Sequence, residues 1–358
     1  MNTTNTKSCI LIALAIGLIG CKKHTISYNP QIIDDAAQTK ATCEIIAEDL
    51  ECRFPAQIAE LDSMIIVLDA AVNENFFHIY SNKGKILAKF GKKGRGYGEL
   101  IDIPTYFSLD EHSLFVADKN KILEYDIAKL LAGEEGYTKQ LTYNELFKSE
   151  DKTVDDLIVV KDNAYFRFRM SPDSRLNIIS PDINSYLTYN ALPILNNSDE
   201  GTGNDHIVWR YMTRVCISPN KKYIAQTTYI GAVLDILEIA ADKIQHVSTR
   251  YIIEPIYEQV DRNNIAITDN TTIGFDALYC TNEYIYGLIN GNMGKDLRNR
   301  DFQSPYTRNI AVFNWTGDLE HVIATPHMLT SICISPNDRT GYATTYKAGT
   351  YNLIKINW

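Results

Sequence analysis

Residues 89–126, KFGKKGRGYGELIDIPTYFSLDEHSLFVADKNKILEYD, contain the pattern that decides the fold. Residues 113–118 (SLFVAD) and 122–126 (ILEYD) are short, rich in β-branched and aromatic residues, and bounded by polar turn residues, which is typical of β-strands. Because only a short polar turn separates them, we expect the two to form a hairpin. Residues 106–109 add a third strand upstream. The stretch therefore predicts an antiparallel sheet of short strands.

Four glycines, Gly91, Gly94, Gly96 and Gly98, lie between the end of the preceding strand and Pro104. Each glycine raises the entropic cost of regular structure, so this part of the chain is expected to be a connection. A phosphate-binding interpretation is disfavoured, because the GxxxxGK[ST] motif is absent and no helical period follows the glycines. The glycines thus indicate a link between two sheets.

The same strand pattern recurs along the chain, which indicates an internal repeat. With the middle of the second strand as a marker, neighbouring units lie between 49 residues apart (Ile66 to Phe115) and 61 residues apart (Ile224 to Ile285). Repeats of this length that consist of strands are typical of β-propellers. The sequence therefore predicts an all-β fold, a six-bladed β-propeller. Its markers are Ile66, Phe115, Phe166, Ile224, Ile285 and Tyr342.

Short motifs in the repeats resemble those of known propeller families. Phe90-Gly91, the spaced glycines, Pro104 and the triplet at residues 116–118 (VAD) resemble an NHL-type repeat, and the Ser-Pro-Asn turns at residues 218–220 and 335–337 resemble TolB-like propellers. In these turns proline presets its own φ, and asparagine tolerates the left-handed region, which makes the triplet a suitable turn. The resemblance implies that residues 41–358 form a six-bladed propeller of the kind found in bacterial lipoproteins.

The last unit lacks a fourth strand after its third, at residues 351–357. Residues 42–48 (TCEIIAE) alternate between apolar and polar and have no other expected partner. We expect this N-terminal strand to pair in the last blade and to close the ring, because closure removes exposed sheet edges.

The N-terminal segment has the features of a secretion signal. Lys7 precedes a short apolar run at residues 9–19, and Gly20-Cys21 directly follows this run. This stretch resembles a bacterial lipobox, and the resemblance implies a signal peptide at residues 1–20, a lipid on Cys21 that binds the membrane, and a lipidated tether at residues 21–40. Lys22 resembles the sorting residue of outer-membrane lipoproteins. We therefore expect a cell-envelope protein of the outer membrane, and leave open which side it faces.

Charge and cysteine content exclude several classes of function. The chain of 358 residues has a formal net charge of −9 and no basic stripe, so nucleic acid is not an expected partner. Of seven cysteines, one lies in the signal and Cys21 carries the lipid, which leaves five, an odd number. Without a CxxC motif or a metal-ligand spacing, no metal or cofactor is expected. Cys216 and Cys333, inside apolar strands, are predicted to be buried free thiols.

Propeller topology places the connections between second and third strands, and those between successive blades, on one face, which we call the long-loop face. The longest connections, residues 91–104, 193–212, 253–274 and 291–308, all belong to this set. Binding residues concentrate on long loops of rigid scaffolds, so we expect a protein, peptide or glycan ligand here.

Arginine with tyrosine or tryptophan offers flat apolar area and hydrogen-bond donors to such a ligand. Each of these side chains also fits a simpler role in pairing the loops with one another. The candidate binding residues are Arg95, Tyr97, Trp209, Arg210, Tyr211, Asp261, Arg262, Lys295, Arg298, Arg300, Asp301 and Tyr306.

No catalytic motif accompanies these residues: HxH, HExxH and GxSxG are all absent. The main hypothesis is a non-enzymatic binding protein, and a structural partner in an envelope complex is a related one. The alternative is a propeller-type glycan hydrolase or lyase that acts at the channel mouth. Carboxylates converging within ~5–9 Å would favour the enzyme, whereas an arginine–tyrosine surface would favour the binding protein.

Overall fold

The computed structural model describes most of the chain from residue 27 onward. For residues 158–189 the account is confined to the backbone. The described residues are 27–71, 74–104, 106–118, 121–142, 158–161, 164–171, 174–179, 186–189, 213–240, 243–260, 265–299 and 306–358.

Within these residues the chain forms four antiparallel four-stranded sheets and one larger sheet that contains two further four-stranded units, and we call these six units sheets 1 to 6. The predicted six-bladed all-β architecture is therefore confirmed. Sheet 1 contains β3 (Pro55–Leu61), β4 (Met64–Asp69), β5 (Asn75–Ser81) and β6 (Ile86–Lys92). Sheet 2 contains β7 (Phe107–Asp110), β8 (Ser113–Asp118), β9 (Lys121–Asp126) and β10 (Thr138–Thr142). Sheet 3 contains β11 (Ile158–Lys161), β12 (Ala164–Ser171), β13 (Ser174–Ile179) and β14 (Tyr186–Tyr189).

The second half of the chain repeats this order. Sheet 4 contains β15 (Thr213–Ile217), β16 (Tyr223–Thr228), β17 (Ala232–Ile239) and β18 (Ile244–Ile253). A small hairpin, β19 (Glu258–Gln259) and β20 (Ile265–Ala266), follows it. Sheets 5 and 6 contain β21 (Phe275–Cys280), β22 (Tyr284–Ile289), β23 (Thr307–Asn314), β24 (Leu319–Ile334), β25 (Thr340–Lys347) and β26 (Thr350–Asn357). All six predicted markers lie in second strands.

Sheets 5 and 6 share one strand, which the sequence did not predict. β24 pairs with β23 through its first half and with β25 through its second half, with irregular register near Leu329 in both ladders. Its 16 residues therefore serve as the fourth strand of sheet 5 and the first strand of sheet 6. The fourth strand expected at residues 318–324 thus continues into the next sheet without a loop.

The first strands of neighbouring sheets lie side by side. β24 lies against β3, β3 against β7, β7 against β11, and β15 against β21, which in turn lies against β24. Between sheets 3 and 4 the contact is made by the outer strands β14 and β18. This order follows the chain, as in a propeller.

In sheets 1, 2, 4, 5 and 6 the second strands are buried along most of their length. In β4, every residue from Ile65 to Asp69 is buried. A strand covered by neighbouring sheets on both faces needs no polar face, which explains why MIIVLD is a continuous apolar run ending in an acid.

That terminal acid has the same role in sheets 1 and 2. Both oxygens of Asp69 accept backbone hydrogen bonds of 2.9 Å from Arg53 and Phe54. The Asp118 carboxylate, at the end of β8, accepts bonds of 2.8 and 3.1 Å from the backbone of Ile101 and Asp102. The aspartate of the VAD triplet therefore holds the chain that enters its sheet.

The Ser-Pro-Asn turns are present, as predicted, and their asparagines are not the left-handed residues. The left-handed residues are those that follow them, Lys221 (φ 58°) and Asp338 (φ 54°). The Asn337 side-chain oxygen instead accepts hydrogen bonds from the backbone of Arg339 and Thr340, at 2.9 and 3.1 Å. Its side chain mimics a turn of the backbone, and this contact stabilises the tight connection without a left-handed asparagine.

The N-terminal segment lies along the outside of sheets 4, 5 and 6. The Tyr28 ring packs edge-on against Tyr251 of β18, with centroids 5.6 Å apart. Helix α1 (Gln31–Asp35) follows, and β1 (Gln38–Lys40) pairs in parallel with β24. The described part of the predicted tether, from residue 27, therefore contacts the propeller. Cys21, the predicted lipidation site, lies outside the described residues.

β2 (Thr42–Ala47) supplies the outer strand of sheet 6. It pairs with β26 in antiparallel orientation, from Thr42 opposite Asn357 to Ala47 opposite Leu353. The predicted N-terminal partner for the last strand is therefore observed, whereas closure of the ring by this strand stays a prediction.

One short helix, α2 (Ile127–Ala132), lies between β9 and β10. The Asp126 side chain accepts a hydrogen bond from the Lys129 backbone at its start, and Gly133, at φ 70°, ends it. Finally, the five described cysteines are free, and Cys216 and Cys333 are buried, as predicted.

Candidate functional site

Backbone hydrogen bonds join three connections on the long-loop face. The segment that leads into β21 is bonded on one side to the β16–β17 turn, where the Gly231 N–H donates to Thr272 at 2.8 Å and the Gly274 N–H donates to Tyr229 at 2.6 Å. On its other side, the Asn290 N–H donates to the Gly274 carbonyl at 2.8 Å. For sheets 4 and 5 the two kinds of connection therefore share one face, as the topology predicts.

Two glycines allow this arrangement. A Cβ atom on Gly274 would lie 1.5 Å from the Gly231 carbonyl oxygen, so only glycine permits the two backbones to approach this closely. Gly231 itself has a φ of 65°, which also favours glycine. The loops of this part of the face are thus held together by backbone contacts rather than by flexible side chains.

Four polar side chains meet on this frame, and we call them the Asp276 cluster: Arg214, Tyr229, Asp276 and Asn290. The Asn290 amide donates to the Asp276 carboxylate at 2.6 Å. The Arg214 Nε donates to the Asp276 carbonyl oxygen at 2.7 Å. Each residue lies at the end of its strand on the long-loop face, so the cluster spans the boundary between sheets 4 and 5.

Burial dominates the electrostatics of the cluster. It raises the pKa of Asp276 to about 6, although the Asn290 hydrogen bond and the Arg214 charge both favour the ionised carboxylate. Burial also raises the pKa of Tyr229, and the Asp276 charge adds to this effect. At neutral pH the tyrosine is therefore neutral, while Asp276 titrates close to that pH.

The guanidinium group of Arg214 is only partly engaged. The side chain is exposed, and its hydrogen bond to the backbone uses Nε. Among the described residues, no carboxylate forms an ion pair with it. Within the described residues the two terminal nitrogens make no hydrogen bond, although the Asp276 charge acts on the guanidinium, and the bond at Nε restricts the orientation of the fork.

A second group on the long-loop face is aromatic, and we call Tyr306, Tyr346 and Tyr351 the tyrosine patch. The rings of Tyr346 and Tyr351 have centroids 4.9 Å apart, and those of Tyr306 and Tyr346 have centroids 6.3 Å apart. The hydroxyls of Tyr306 and Tyr351 are 3.5 Å apart. Tyr346 is 42% exposed, so the patch presents an aromatic surface to solvent.

Two of the predicted residues lie near these groups on the β22–β23 connection. Helix α3 (Gly294–Leu297) contains Lys295, and Arg298 follows it. The Arg298 guanidinium pairs with Asp269 at 2.6 Å, and both side chains are more than half exposed. This pair fits the interpretation of loop-stabilising contacts on a solvated rim.

The glycine-rich connection places its predicted residues elsewhere. Tyr97 is 73% exposed, and its hydroxyl donates to the Thr138 carbonyl at 3.3 Å, at the start of the outer strand of sheet 2. Arg95 is exposed on the same connection. The structure therefore does not bring Arg95 and Tyr97 together with the Asp276 cluster, because this loop packs beside the outer strand β10.

The other predicted residues have no described placement. Trp209, Arg210 and Tyr211 precede β15, Asp261 and Arg262 fall between β19 and β20, and Arg300 and Asp301 precede Tyr306; all seven lie outside the described residues.

Phenol and thiol groups from several sheets meet along the first strands, toward the propeller axis. Tyr106 of sheet 2 interacts with Cys216 and Cys280 of sheets 4 and 5, and it hydrogen-bonds Gln57. Burial raises the pKa of Cys216, with a further contribution from the neighbouring Cys280, and burial also raises the pKa of Tyr106. Cys216 and Tyr106 are therefore neutral at physiological pH. In the described part of the chain, no three His, Cys, Asp or Glu side chains are placed to hold a metal ion.

Sequence reasoning missed Arg214, Tyr229, Asp276 and Asn290. Each stands in or next to a strand that the repeat pattern located, on the face to which the long loops belong. What the pattern lacked was the lateral packing of sheets 4 and 5, which brings Arg214 to Asp276, 62 positions along the chain. A search for charged residues at strand ends on the long-loop face would have included Arg214 and Asp276.

Comparisons with known proteins agree with this architecture. A family model described as TolB-like 6-blade propeller-like matches residues 34–337. A crystal structure of a member of the DUF4221 family from Bacteroides vulgatus has a TM-score of 0.56 at 10% identity and covers 90% of this chain and 99% of its own. A Bacteroides fragilis structure, named for an exported protein, has a TM-score of 0.55 at 11% identity and covers 89% and 98%. At these identities the likeness shows the fold alone.

No curated protein sequence matches the chain significantly. Within the described residues, none of the helices has the length and apolar character needed to cross a bilayer.

Proposed function

Because the chain belongs to the TolB-like 6-blade propeller-like family, we propose that it is a lipid-anchored protein of the cell envelope that binds a protein, peptide or glycan through its long-loop face. The lipobox-like segment that ends at Cys21 supports the anchor, and the exported name of the Bacteroides fragilis relative agrees with an envelope location. Outer-membrane sorting is part of the same proposal and rests on Lys22.

The observation that carries the binding role is the Asp276 cluster. Its arginine fork is exposed and has no carboxylate partner among the described residues, while the backbone beneath it is fixed by the contact of Gly231 with Gly274. A rigid frame reduces the entropy lost when a ligand is bound, which is the property expected of a binding surface.

The test is recovery of the lipidated protein with its partners from its own envelope, followed by mass spectrometry. We expect a reproducible partner that is lost when both Arg210 and Arg298 are changed to alanine. Arg339→Ala is the matched control, because Arg339 is exposed on the turn between the first two strands of sheet 6, on the opposite face. Partner recovery that is unchanged by the double variant would contradict the assignment of this face.

One observation favours a second function, a glycan hydrolase or lyase. A carboxyl group with a pKa of about 6 can donate a proton near neutral pH, as a general acid does. In glycoside hydrolysis such a group usually works with a second carboxylate. Turnover of an envelope glycan that disappears in the Asp276→Asn variant, with the fold retained, would establish this function instead.

A further inference from the structure

The Asp276 cluster and the tyrosine patch are neighbours on the long-loop face. Asn290 directly follows β22, and Tyr306 directly precedes β23; these strands are paired, with Leu288 opposite Ile310. Neighbouring strands lie about 5 Å apart, so the two ends of this connection leave the sheet side by side. One residue of each group is thus anchored at the same edge of sheet 5.

The two groups have complementary chemistry. The Asp276 cluster offers a guanidinium fork together with amide, carboxyl and phenol groups, all of them polar. The tyrosine patch offers ring faces and three phenol hydroxyls. A hydroxyl-rich ligand that carries a planar anion matches this combination, because its polar groups can hydrogen-bond the cluster while its C–H faces pack on the rings.

Building on the proposed function, we infer that this surface binds an acidic glycan whose uronic-acid carboxylate is held by the fork of Arg214 and whose sugar rings pack on Tyr346 and Tyr306. A carboxylate is the anion that an arginine fork fits in a bidentate way. An acidic peptide would supply the same anion. The polar composition of the Asp276 cluster favours the glycan, since a peptide ligand typically places an apolar anchor in a pocket.

Asp276 makes the surface sensitive to pH. From β15 it faces Arg214, from the β16–β17 turn it faces Tyr229, and from the end of β22 it faces the uncharged Asn290. The nearby Asp269 and Arg298 neutralise each other in their own pair. When Asp276 is ionised, its charge offsets that of Arg214 and repels an anion. When Asp276 is protonated, the positive charge of Arg214 is left unopposed.

The experiment measures binding of oligogalacturonate and oligomannuronate to the full protein by calorimetry. The matched control ligand is methyl-esterified oligogalacturonate, which keeps the sugar and lacks the charge. We expect the ester to bind at least about tenfold more weakly and Arg214→Met to lower the affinity about 10- to 100-fold, in line with charge-assisted hydrogen bonds. Arg214→Lys should recover part of this loss, Tyr346→Ala should weaken binding, and Arg339→Met should have no effect.

The pH profile supplies a readout that a merely structural role would not change. Between pH 8 and pH 5 the ligand carboxylate remains ionised while Asp276 becomes protonated, so affinity should rise as the pH falls. In Asp276→Asn this rise should be absent, and affinity at pH 8 should exceed that of the unchanged protein. Thermal unfolding of each variant checks that the fold is kept.

The outcomes separate this inference from the proposed function. Equal affinity for the ester and the acid, or unchanged affinity in Arg214→Met, overturns the role of Arg214. Tighter binding of a hexaglutamate peptide than of either uronate overturns the choice of a glycan. Absence of binding to both uronates, with envelope partners still recovered in an Arg298-dependent manner, overturns the inference and leaves the proposed function standing. If neither uronate binding nor partner recovery is observed, both the inference and the proposed function are overturned.

Discussion

The side-chain amide of Asn290 donates a hydrogen bond of 2.6 Å to the carboxylate of Asp276, and this contact joins the end of β22 to the start of the neighbouring strand β21. The carboxylate is desolvated by the same packing that positions it. Its protonation is therefore linked to the stability of the fold as well as to the electrostatic potential of the long-loop face.

Changing Asp276 to asparagine should stabilise the protein at high pH. The pKa of Asp276 is raised to about 6 in the folded state, above that of an exposed aspartate, so folding binds a proton between about pH 4 and pH 6. The destabilising effect is absent below the unfolded-state pKa and fully present above the folded-state pKa. At pH 8 we expect Asp276→Asn to raise the free energy of unfolding by about 1–3 kcal/mol.

Urea unfolding at pH 4, 6 and 8 measures this effect. Asp269→Asn is the control, because Asp269 is an exposed carboxylate of the same face. A gain in stability that is equal at pH 4 and pH 8 would be inconsistent with the linkage.

Changing Gly274 to alanine should destabilise the protein. The added Cβ would lie 1.5 Å from the Gly231 carbonyl oxygen and 2.8 Å from that of Thr228, and backbone atoms cannot move aside as a flexible side chain can. We expect a loss of about 1–3 kcal/mol or more in the free energy of unfolding, together with weaker ligand binding, because the turn and the link must separate.

Gly96→Ala is the matched control for this change. Its new Cβ would meet only the Glu99 side chain, at 3.0 Å, which can rotate away. Thermal unfolding of the two variants decides the question: similar melting temperatures would show that the approach of Gly231 to Gly274 is not required for the fold.

Changing Arg298 to alanine should have little effect on stability. Its ion pair with Asp269 joins two side chains that are 58% and 70% exposed, and solvent screens such pairs, so the expected loss is below about 1 kcal/mol. Chemical denaturation measures this quantity. If stability is kept, a loss of partner recovery in the same variant shows that Arg298 contacts the partner. A large drop in stability would instead show that the loop had unfolded, and the loss of recovery would then say nothing about a contact.

The cysteines should differ in their rate of alkylation. Cys43 is partly accessible, whereas Cys52, Cys216, Cys280 and Cys333 are buried. The thiolate is the reactive form, and burial raises the pKa of Cys52, Cys216 and Cys333 above the ordinary thiol value. In native protein at pH 8 we expect iodoacetamide to label Cys43 first, and the buried thiols only on unfolding.

Peptide mapping by mass spectrometry at timed intervals measures these rates. Fast labelling of Cys216 or Cys280 in the native protein would show that reagents reach the first strands of sheets 4 and 5.

The sequence by itself determined the number of units, the position of the second and third strands, and the identity of the strand that pairs with β26. These features follow from local physics, because β-branched and aromatic runs form strands and polar turns end them, whatever the distant residues are. Loop lengths also predicted which face carries the long connections. The Ser-Pro-Asn turn is local as well, since the Asn337 side chain accepts backbone hydrogen bonds within the turn itself.

Only the tertiary structure decided which residues meet on that face. Arg214 and Asp276 are separated by a complete unit, and nothing in either local sequence shows that the first strands of sheets 4 and 5 lie side by side. Tyr97 likewise lies beside β10, where its hydroxyl donates to the Thr138 carbonyl, and is not part of the cluster. Strands are determined by the local sequence. A binding surface consists of residues that are distant in the chain, and the packing of one sheet against the next determines which of them meet.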